Sequence, residues 1–446
     1  MKYRSMDTIL ILTAVTAFLL AGNPPLHAAE RQNERIGDYI VSYKSDTAYR
    51  VAGRLRSIRG YRRFERVRMV SVALTHNTAS ALAAQPDVES VAPDQVVRAS
   101  TRYDVAAATV NANIAWEFGG TGEKVAIAVI DSGINVGNKD VGGARIVYRE
   151  NFLVPQFLSS GKVNDARFKT TDDYGHGTHI AGLIGGTGSS SSGASALRTI
   201  IGIAPKAKLL DLKVLDSHGV GTDSRVIEAI DRVIGLQAKY NIRVINLSLG
   251  RPITVSFTRD PLCKAVERAW RAGIVVVVAA GNEGRSGYPG MQGYGTIQSP
   301  GNSPFVITVG AMRTAGTAAR SDDEITTYSS KGPSAIDHIV KPDLVAPGNL
   351  LDSSLSDGAT LARRNPQNVV DPFTYMADAK LTTRSSYLTL SGTSMATAVT
   401  SGAVAALLQL EPQLTPDQVK ARLMLTASKS FSSFGSFYFD YASKIS

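Results

Sequence analysis

The stretch KVAIAVID, Lys124 to Asp131, decides the fold. It is a near-continuous apolar, β-branched run that ends on a carboxylate. Strands so uniformly apolar are buried on both faces, as in a parallel sheet. Three runs of the same kind follow: Lys208–Val214, Val244–Leu249 and Ile274–Ala280 (IVVVVAA). Between them lie the helical patterns Asp223–Lys239 and Pro261–Ala272. A further helix over Pro416–Ala427 has Thr415 as N-cap, Gln418 to close a capping box, Pro416 at the first position and Leu414 opposite Val419 as a staple. This alternation predicts an α/β fold with a doubly wound, mostly parallel sheet, whose ligands bind at the carboxyl ends of the strands.

Upstream, a smaller α/β unit is legible from Asp38 to Val97. Strands are expected at Asp38–Lys44, Met69–Thr75 and Val88–Val97, with helices at Asp46–Ile58 and Thr78–Gln85. The order is the ferredoxin-like one, and so short a unit buries little surface of its own. Before it, Lys2 and Arg4 precede the apolar run Thr8–Leu20, thirteen residues that suit an export signal better than a membrane span, with cleavage after Ala28 or Ala29. No other segment approaches membrane length. The expected divisions are therefore 1–29, 30–100 and 101–446.

Composition narrows the function. The 446 residues are 43% hydrophobic and 19% charged, which excludes a disordered or collagen-like chain. The single cysteine, Cys263, excludes an intramolecular disulfide framework and Cys-based metal clusters, and reads as an inert core thiol. A net charge of +10 raises nucleic acid as a partner, but half of it lies in the first hundred residues. The densest cluster, Arg54, Arg56, Arg59, Arg62, Arg63, Arg66 and Arg68, carries no nucleic-acid-reading signature, so none is expected to bind.

Three segments fall where such a sheet places its chemistry. Asp131 closes the first apolar strand. His176 lies in Asp173-Tyr-Gly-His-Gly-Thr-His179, a glycine-flanked turn that enters the apolar helix pattern Ile180–Ile184. Ser394, in Ser391-Gly-Thr-Ser-Met-Ala-Thr397, opens a long apolar helix through Ala403–Leu410. A helix N-terminus offers unpaired N–H groups and the positive end of the dipole, which favour an oxyanion. Each alone has a plainer reading: a turn aspartate, a core histidine, a capping serine. His176 and His179 lack the glutamate of a metalloprotease pair, so no metal is expected there. Gly185–Gly188 follows a helix rather than a strand and reads as a surface loop, not a phosphate loop.

Taken together, the segments resemble the subtilisin-like serine proteases across Thr101–Lys429. The matching motifs are Val129-Ile-Asp-Ser-Gly133, Gly175-His-Gly-Thr-His-Ile-Ala-Gly182, Asn246-Leu-Ser-Leu-Gly250, Ala279-Ala-Gly-Asn-Glu283, Ala346-Pro-Gly348 and Gly392-Thr-Ser-Met-Ala396. The chain order Asp, His, Ser is the subtilisin order. The resemblance implies Ser394 as nucleophile, His176 as general base and Asp131 as its orienting carboxylate. It implies Asn282 as an oxyanion donor beside the Ser394 backbone N–H. It makes Ser248, Leu249, Gly250 and Ala279, Ala280, Gly281 the backbone that pairs with an extended peptide and walls its side-chain pocket. Asp38–Val97 looks like the family's inhibitory propeptide, with a self-cleavage point between Val97 and Tyr103. A secreted, monomeric endopeptidase is implied, free of membrane after processing, with protein substrates and its own propeptide as partners.

Departures from the family pattern are also readable. Ala398-Val399 stands where many members have Pro-His, and alanine supports a helix at least as well. Thr187–Gly193 (TGSSSSG), where many members carry a calcium loop, offers no carboxylate, and Asp140 matches one calcium ligand without its usual partners. The chemistry therefore requires no cofactor, and a structural calcium has a thin ligand set. Leu350–Ser386 is longer than the compact family pattern and by its polarity is expected to be a surface insertion of unassigned purpose, and the tail Phe431–Ser446 is aromatic-rich. Glu283, beside the pocket motif, reads as a solvated loop charge before it reads as a selector of basic side chains. A rival reading as an inactive protease-like adhesion or inhibitor fold conflicts with a complete triad and Asn282. A dinucleotide-binding oxidoreductase lacks a Gly-x-Gly-x-x-Gly after Lys124–Ile130.

Overall fold

The computed structural model describes residues 36–52, 61–64, 66–94, 106–286 and 293–429. The export segment, the expected cleavage region, Arg54, Arg56, Arg59 and the tail from Phe431 lie outside the described residues. The chain forms two compact units, Met1–Ala99 and Ser100–Ser446.

In the first unit the elements run β1 (Ile36–Tyr43), α1 (Asp46–Ala52), β2 (Arg62–Phe64), β3 (Met69–Thr75), α2 (His76–Ala83) and β4 (Val88–Pro93). The sheet order is β2-β3-β1-β4, antiparallel throughout, which is the ferredoxin-like arrangement. Its core is small: Val41, Tyr43, Tyr49, Val70, Val72, Leu74, Ala79 and Val88. Helix α2 begins two residues earlier than the sequence pattern indicates. The cause is Thr75, whose Oγ1 accepts the Thr78 N–H at 3.2 Å and so caps the helix at the end of the strand.

The second unit opens with two short helices, α3 (Ala106–Thr109) and α4 (Ala112–Glu117), and then builds one eight-stranded sheet. Its strands are β5 (Ala126–Asp131), β6 (Ile146–Asn151), β7 (Lys208–Lys213), β8 (Ile242–Leu247), β9 (Val275–Ala279), β10 (Ile307–Arg313), β11 (Glu324–Ile325) and β12 (Leu344–Pro347). The order is β11-β10-β9-β8-β5-β7-β6, with β12 also on β10, and every pairing is parallel except β10–β11. The central runs are buried on both faces, as their composition requires: Ala126 to Ile130 and Val275 to Val278 are at most 1% exposed. From β5 the chain builds outward to β7 and β6 on one side and to β8, β9 and β10 on the other. The carboxyl end of β5 is therefore the switch point of the sheet, and Asp131 stands on it.

Helices α5 (His176–Gly185), α6 (Asp223–Tyr240), α7 (Pro261–Arg271), α8 (Thr360–Arg364), α9 (Thr393–Leu410) and α10 (Pro416–Thr426) complete the unit, together with the hairpin β13 (Leu351–Ser354) and β14 (Tyr387–Leu390). Helices α6 and α7 pack on each other and on β8 and β9, while α9 packs on α5 and on β8, β9, β10 and β12. Helix α9 corrects one sequence expectation. By length and composition it could cross a membrane, but 72% of that span is buried inside the unit, so it is a core helix.

Candidate active site

Asp131 and His176 are joined across the sheet and α5. Asp131 is fully buried at the end of β5, and His176 Nδ1 lies 2.8 Å from its Oδ1. The same oxygen accepts the Ser132 N–H at 2.7 Å. Burial opposes a charge on His176, but the Asp131 charge and hydrogen bond, with a further contribution from Asp172, outweigh it and raise the imidazole pKa. Helix α5 opens on Gly175, whose φ of 99° places it in the left-handed region where a side chain is strained. Asp172 does the capping instead: its carboxylate accepts the Gly175 N–H at 2.7 Å, the Thr178 N–H at 2.8 Å and the Ser132 hydroxyl at 2.8 Å. Ser132 Oγ in turn accepts the Gly177 N–H at 2.9 Å. Strand end and helix start are thus stitched through one buried carboxylate. They also approach too closely for a side chain, because a Cβ on Gly177 would lie 2.2 Å from the Gly133 carbonyl oxygen.

Ser394 sits in the first turn of α9. Its Oγ donates to the Ser248 carbonyl at 3.2 Å, and Ser248 Oγ donates back to the Ser394 carbonyl at 3.0 Å. Behind this pair runs a buried polar chain in which Asn246 Nδ2 donates to Ser248 Oγ and Ser401 Oγ donates to Asn246 Oδ1. Asn282 follows β9 at the neighbouring strand end. Its Oδ1 accepts both the N–H and the hydroxyl of Thr393, at 3.0 and 3.2 Å. Thr393 Oγ1 also accepts the Gly281 N–H, so one threonine ties the asparagine loop to the serine helix.

The two backbone segments expected to meet a peptide differ in what they have free. Leu249 and Gly250 make no backbone hydrogen bond among the described residues, so their groups are open to an extended chain. In the other segment the Ala280 carbonyl accepts from Gln298, the Gly281 carbonyl from Ser330 and the Gly281 N–H bonds Thr393. Ala279–Gly281 can therefore serve as a wall, but not as pairing backbone at those atoms. Glu283 is exposed next to it.

His179 is fully buried and points Nε2 at the Leu351 and Leu388 carbonyls, 3.1 and 2.9 Å away. Burial, followed by the charge of His176, pushes its pKa down to about 4, so it is a neutral packing residue. Among the described residues no three His, Cys, Asp or Glu side chains converge as metal ligands. At Asp140, Oδ1 accepts the Ser190 N–H at 2.8 Å, and the carbonyl accepts from Thr187 and from the Arg145 guanidinium, both at 3.0 Å. Donors of the protein hold these two oxygens and the guanidinium lies on the carbonyl, whereas Asp140 Oδ2 is buried without a hydrogen-bond partner; one free carboxylate oxygen is a thin ligand set for calcium. Cys263 is buried, and burial pushes its pKa up to about 12, which keeps the thiol unreactive. A cavity of about 1150 Å³ elsewhere in this unit, lined by residues such as Met312, Ile325, Leu344, Leu423 and Met424, includes none of Asp131, His176 and Ser394.

Several of these supporting residues carry little signal in a sequence. Asp172 could have been found from its place three residues before a glycine that opens a helix, a capping pattern. Thr393 and Asn246 lie inside the quoted motifs, but only their bonds separate them from neighbours of similar type.

The profile of the subtilase family matches residues 122–439, and that of the peptidase inhibitor I9 family matches residues 33–100. The chain is 37% identical to the serine protease AprX of Bacillus subtilis over 312 residues, covering 68% of this chain and 61% of that protein. It is 28% identical to subtilisin E of the same organism over 446 residues, covering 97% and 96%. Among solved structures it resembles the S41 psychrophilic protease at 28% identity and a TM-score of 0.51, covering 69% of this chain and 84% of that one. Sphericase is comparable, at 27% identity and a TM-score of 0.50 over the same shares. With matches of this extent, the chain belongs to the subtilase family and carries an I9-type inhibitor segment ahead of its subtilase domain.

Proposed function

We propose that the protein is a secreted serine endopeptidase made as a self-processed precursor. One observation carries the reading: Asp131 and His176 form a 2.8 Å pair at the switch point of the sheet, within a chain whose serine helix begins at Ser394. In the reaction Ser394 Oγ turns from the Ser248 carbonyl, gives its proton to His176 Nε2 and attacks the scissile carbonyl. Asp131 keeps the Nδ1–H tautomer and stabilises the imidazolium, while Asn282 Nδ2 and the Ser394 N–H receive the oxyanion. His176 then hands the proton to the leaving amine. Leu249 and Gly250 hold the peptide by main-chain pairing, which accounts for a protein substrate rather than a small ester.

On this reading residues 1–29 direct export, 30–100 inhibit until cut between Val97 and Tyr103, and 101–446 form the enzyme. The mature enzyme has a net charge of about +5 by the same residue count. It acts as a monomer whose chemistry requires no cofactor, with a structural calcium poorly provided for, and with neither nucleic acid nor, after processing, membrane as a partner. The test is Ser394→Ala, which should abolish both maturation and peptide hydrolysis and should no longer react with a fluorophosphonate. A normally processed, active variant would sink the reading.

A further inference from the structure

The insertion 350–386 meets the turn before His176 along three consecutive carbonyls. Ser356 Oγ donates to the Asp172 carbonyl at 2.8 Å, the Thr360 N–H to Asp173 at 2.9 Å and the Leu361 N–H to Tyr174 at 3.0 Å. Ser356, Ala359 and Thr360 are buried, and a Cβ on Gly175 would lie 3.0 Å from the Ala359 Cβ. The insertion is itself anchored, by Asn138 Nδ2 on the Leu355 carbonyl and by the Leu355 N–H on Ser386.

This turn has two sides. Its amides are gathered inward by the Asp172 carboxylate, and its carbonyls are gathered outward by the insertion. Without the outer set, three adjacent carbonyls next to the catalytic histidine would lose their partners, and the turn could tilt about the Asp172 hub. The Asp131 contact fixes only the Nδ1 edge of the imidazole; the direction of Nε2 depends on the backbone at 175–176. We infer that the segment Ser356–Leu361 is a positioning element for His176, holding the turn from outside so that the ring stays seated on Asp131 and aimed at Ser394. The inference rests on His176 being the general base proposed above.

Thr360 allows a clean test. It is the first residue of α8, where proline is tolerated, and Ala359 before it has φ −68° and ψ 156°, the region a pre-proline residue prefers. Thr360→Pro therefore deletes the N–H directed at Asp173 with the local backbone retained, and Thr360→Ala keeps it. Ser356→Ala and Ser356→Thr form a second pair, in which threonine restores the hydroxyl. With a peptide substrate, Thr360→Pro combined with Ser356→Ala should lower kcat about tenfold with KM within about twofold. It should also move the acid limb of kcat/KM to lower pH as the Asp131 contact loosens, while Thr360→Ala and Ser356→Thr stay near wild type. If the double variant does not fold, Ser356→Ala against Ser356→Thr carries the same comparison.

The low-field proton resonance of the Asp131–His176 hydrogen bond reads the geometry without catalysis. It should broaden or shift in the proline variant and remain in Thr360→Ala. Unchanged kcat, pH midpoint and resonance would overturn the positioning role. Equal losses in Thr360→Ala and Thr360→Pro would do the same. A wild-type chain that neither hydrolyses peptides nor reacts with a fluorophosphonate, yet shows the expected resonance changes, would sink the protease reading and leave the positioning role standing.

Discussion

The Thr393 N–H donates to Asn282 Oδ1 at 3.0 Å across 111 residues of chain, and the Thr393 hydroxyl donates to the same oxygen. Two bonds to one oxygen fix the amide plane, and both amide atoms border Gly392, where an added Cβ would lie 3.5 Å from Asn282 Nδ2 and 3.7 Å from its Oδ1. On the proposed reading, an amide held this way leaves Nδ2 as the donor for an oxyanion.

Asn282→Ala should lower kcat by about 10²–10³ with little change in KM, a magnitude carried over from the oxyanion asparagine of a subtilisin. Thr393→Val, which keeps the N–H but removes the hydroxyl, loses the second bond to Asn282 Oδ1 and the acceptor of the Gly281 N–H, and should cost roughly tenfold or more. Steady-state kinetics on a peptide anilide decide both. A fall in kcat/KM that comes wholly from KM would contradict the oxyanion role.

The pH profile should report the Asp131–His176 pair. Because Asp131 raises the His176 pKa against the effect of burial, the acid limb of kcat/KM should have its midpoint above the ordinary imidazole value of about 6.5. Asp131→Asn removes the larger charge and leaves only the smaller Asp172 contribution against burial, so the limb should move to lower pH. Residual turnover should fall by about 10⁴, the loss known for the equivalent change in another serine protease. A limb that stays in place in the variant would mean that another group controls it.

Asp211 offers a test through stability. It is fully buried on β7 and bonded by Thr170 Oγ1, and burial, against that bond, pushes its pKa up to about 7. A carboxyl raised in the folded state contributes its stability fully below the unfolded value of about 3.9 and loses it as pH rises through about 7. Asp211→Asn, made in the inactive Ser394→Ala chain to prevent self-digestion, should therefore raise Tm at pH 8 and flatten its dependence on pH between 4 and 8. Parallel Tm curves for the two proteins would refute this.

Metal dependence follows from Asp140 and Arg145. Their hydrogen bonds to Ser190, Thr187 and Ala207 tie the loop together through groups of the protein itself. Excess EDTA should leave Tm and activity unchanged to within about a degree and about 20%, whereas Arg145→Met should lower Tm, since it strips the guanidinium from the Ala207 carbonyl and one of two donors from the Asp140 carbonyl. A Tm that drops in EDTA and recovers with calcium would show a site these residues do not explain.

Much of the fold is legible because burial on two faces leaves a compositional trace. The runs at Ala126–Asp131 and Val275–Ala279 could only be interior parallel strands. Short or polar elements such as β13 and β14 leave no such trace, since the strand Leu351–Ser354 reads LDSS and is buried only through its tertiary partners. The positions of Asp131, His176 and Ser394 at a strand end and two helix starts were readable from local pattern, whereas their roles and that of Asn282 were implied only by the resemblance to the subtilases. Which peptide groups of 248–250 and 279–281 are already bonded was not readable, because the state of a peptide group depends on who stands opposite.

The sequence by itself determined the parallel sheet, the order of Asp131, His176 and Ser394, and the placement of each at a strand end or helix start. Those features follow from local periodicity and the chemistry of one residue type at one position. Only the tertiary structure decided how they are held: Asp172 capping α5 from outside it, Thr393 turning Asn282, and Ser356, Thr360 and Leu361 closing on the histidine turn. These are bonds between residues up to 187 positions apart, as between Asp173 and Thr360, and many involve backbone atoms that every residue shares. Hydrogen-bond partners chosen by folding, rather than by spacing along the chain, leave no pattern for a reader of the sequence to find.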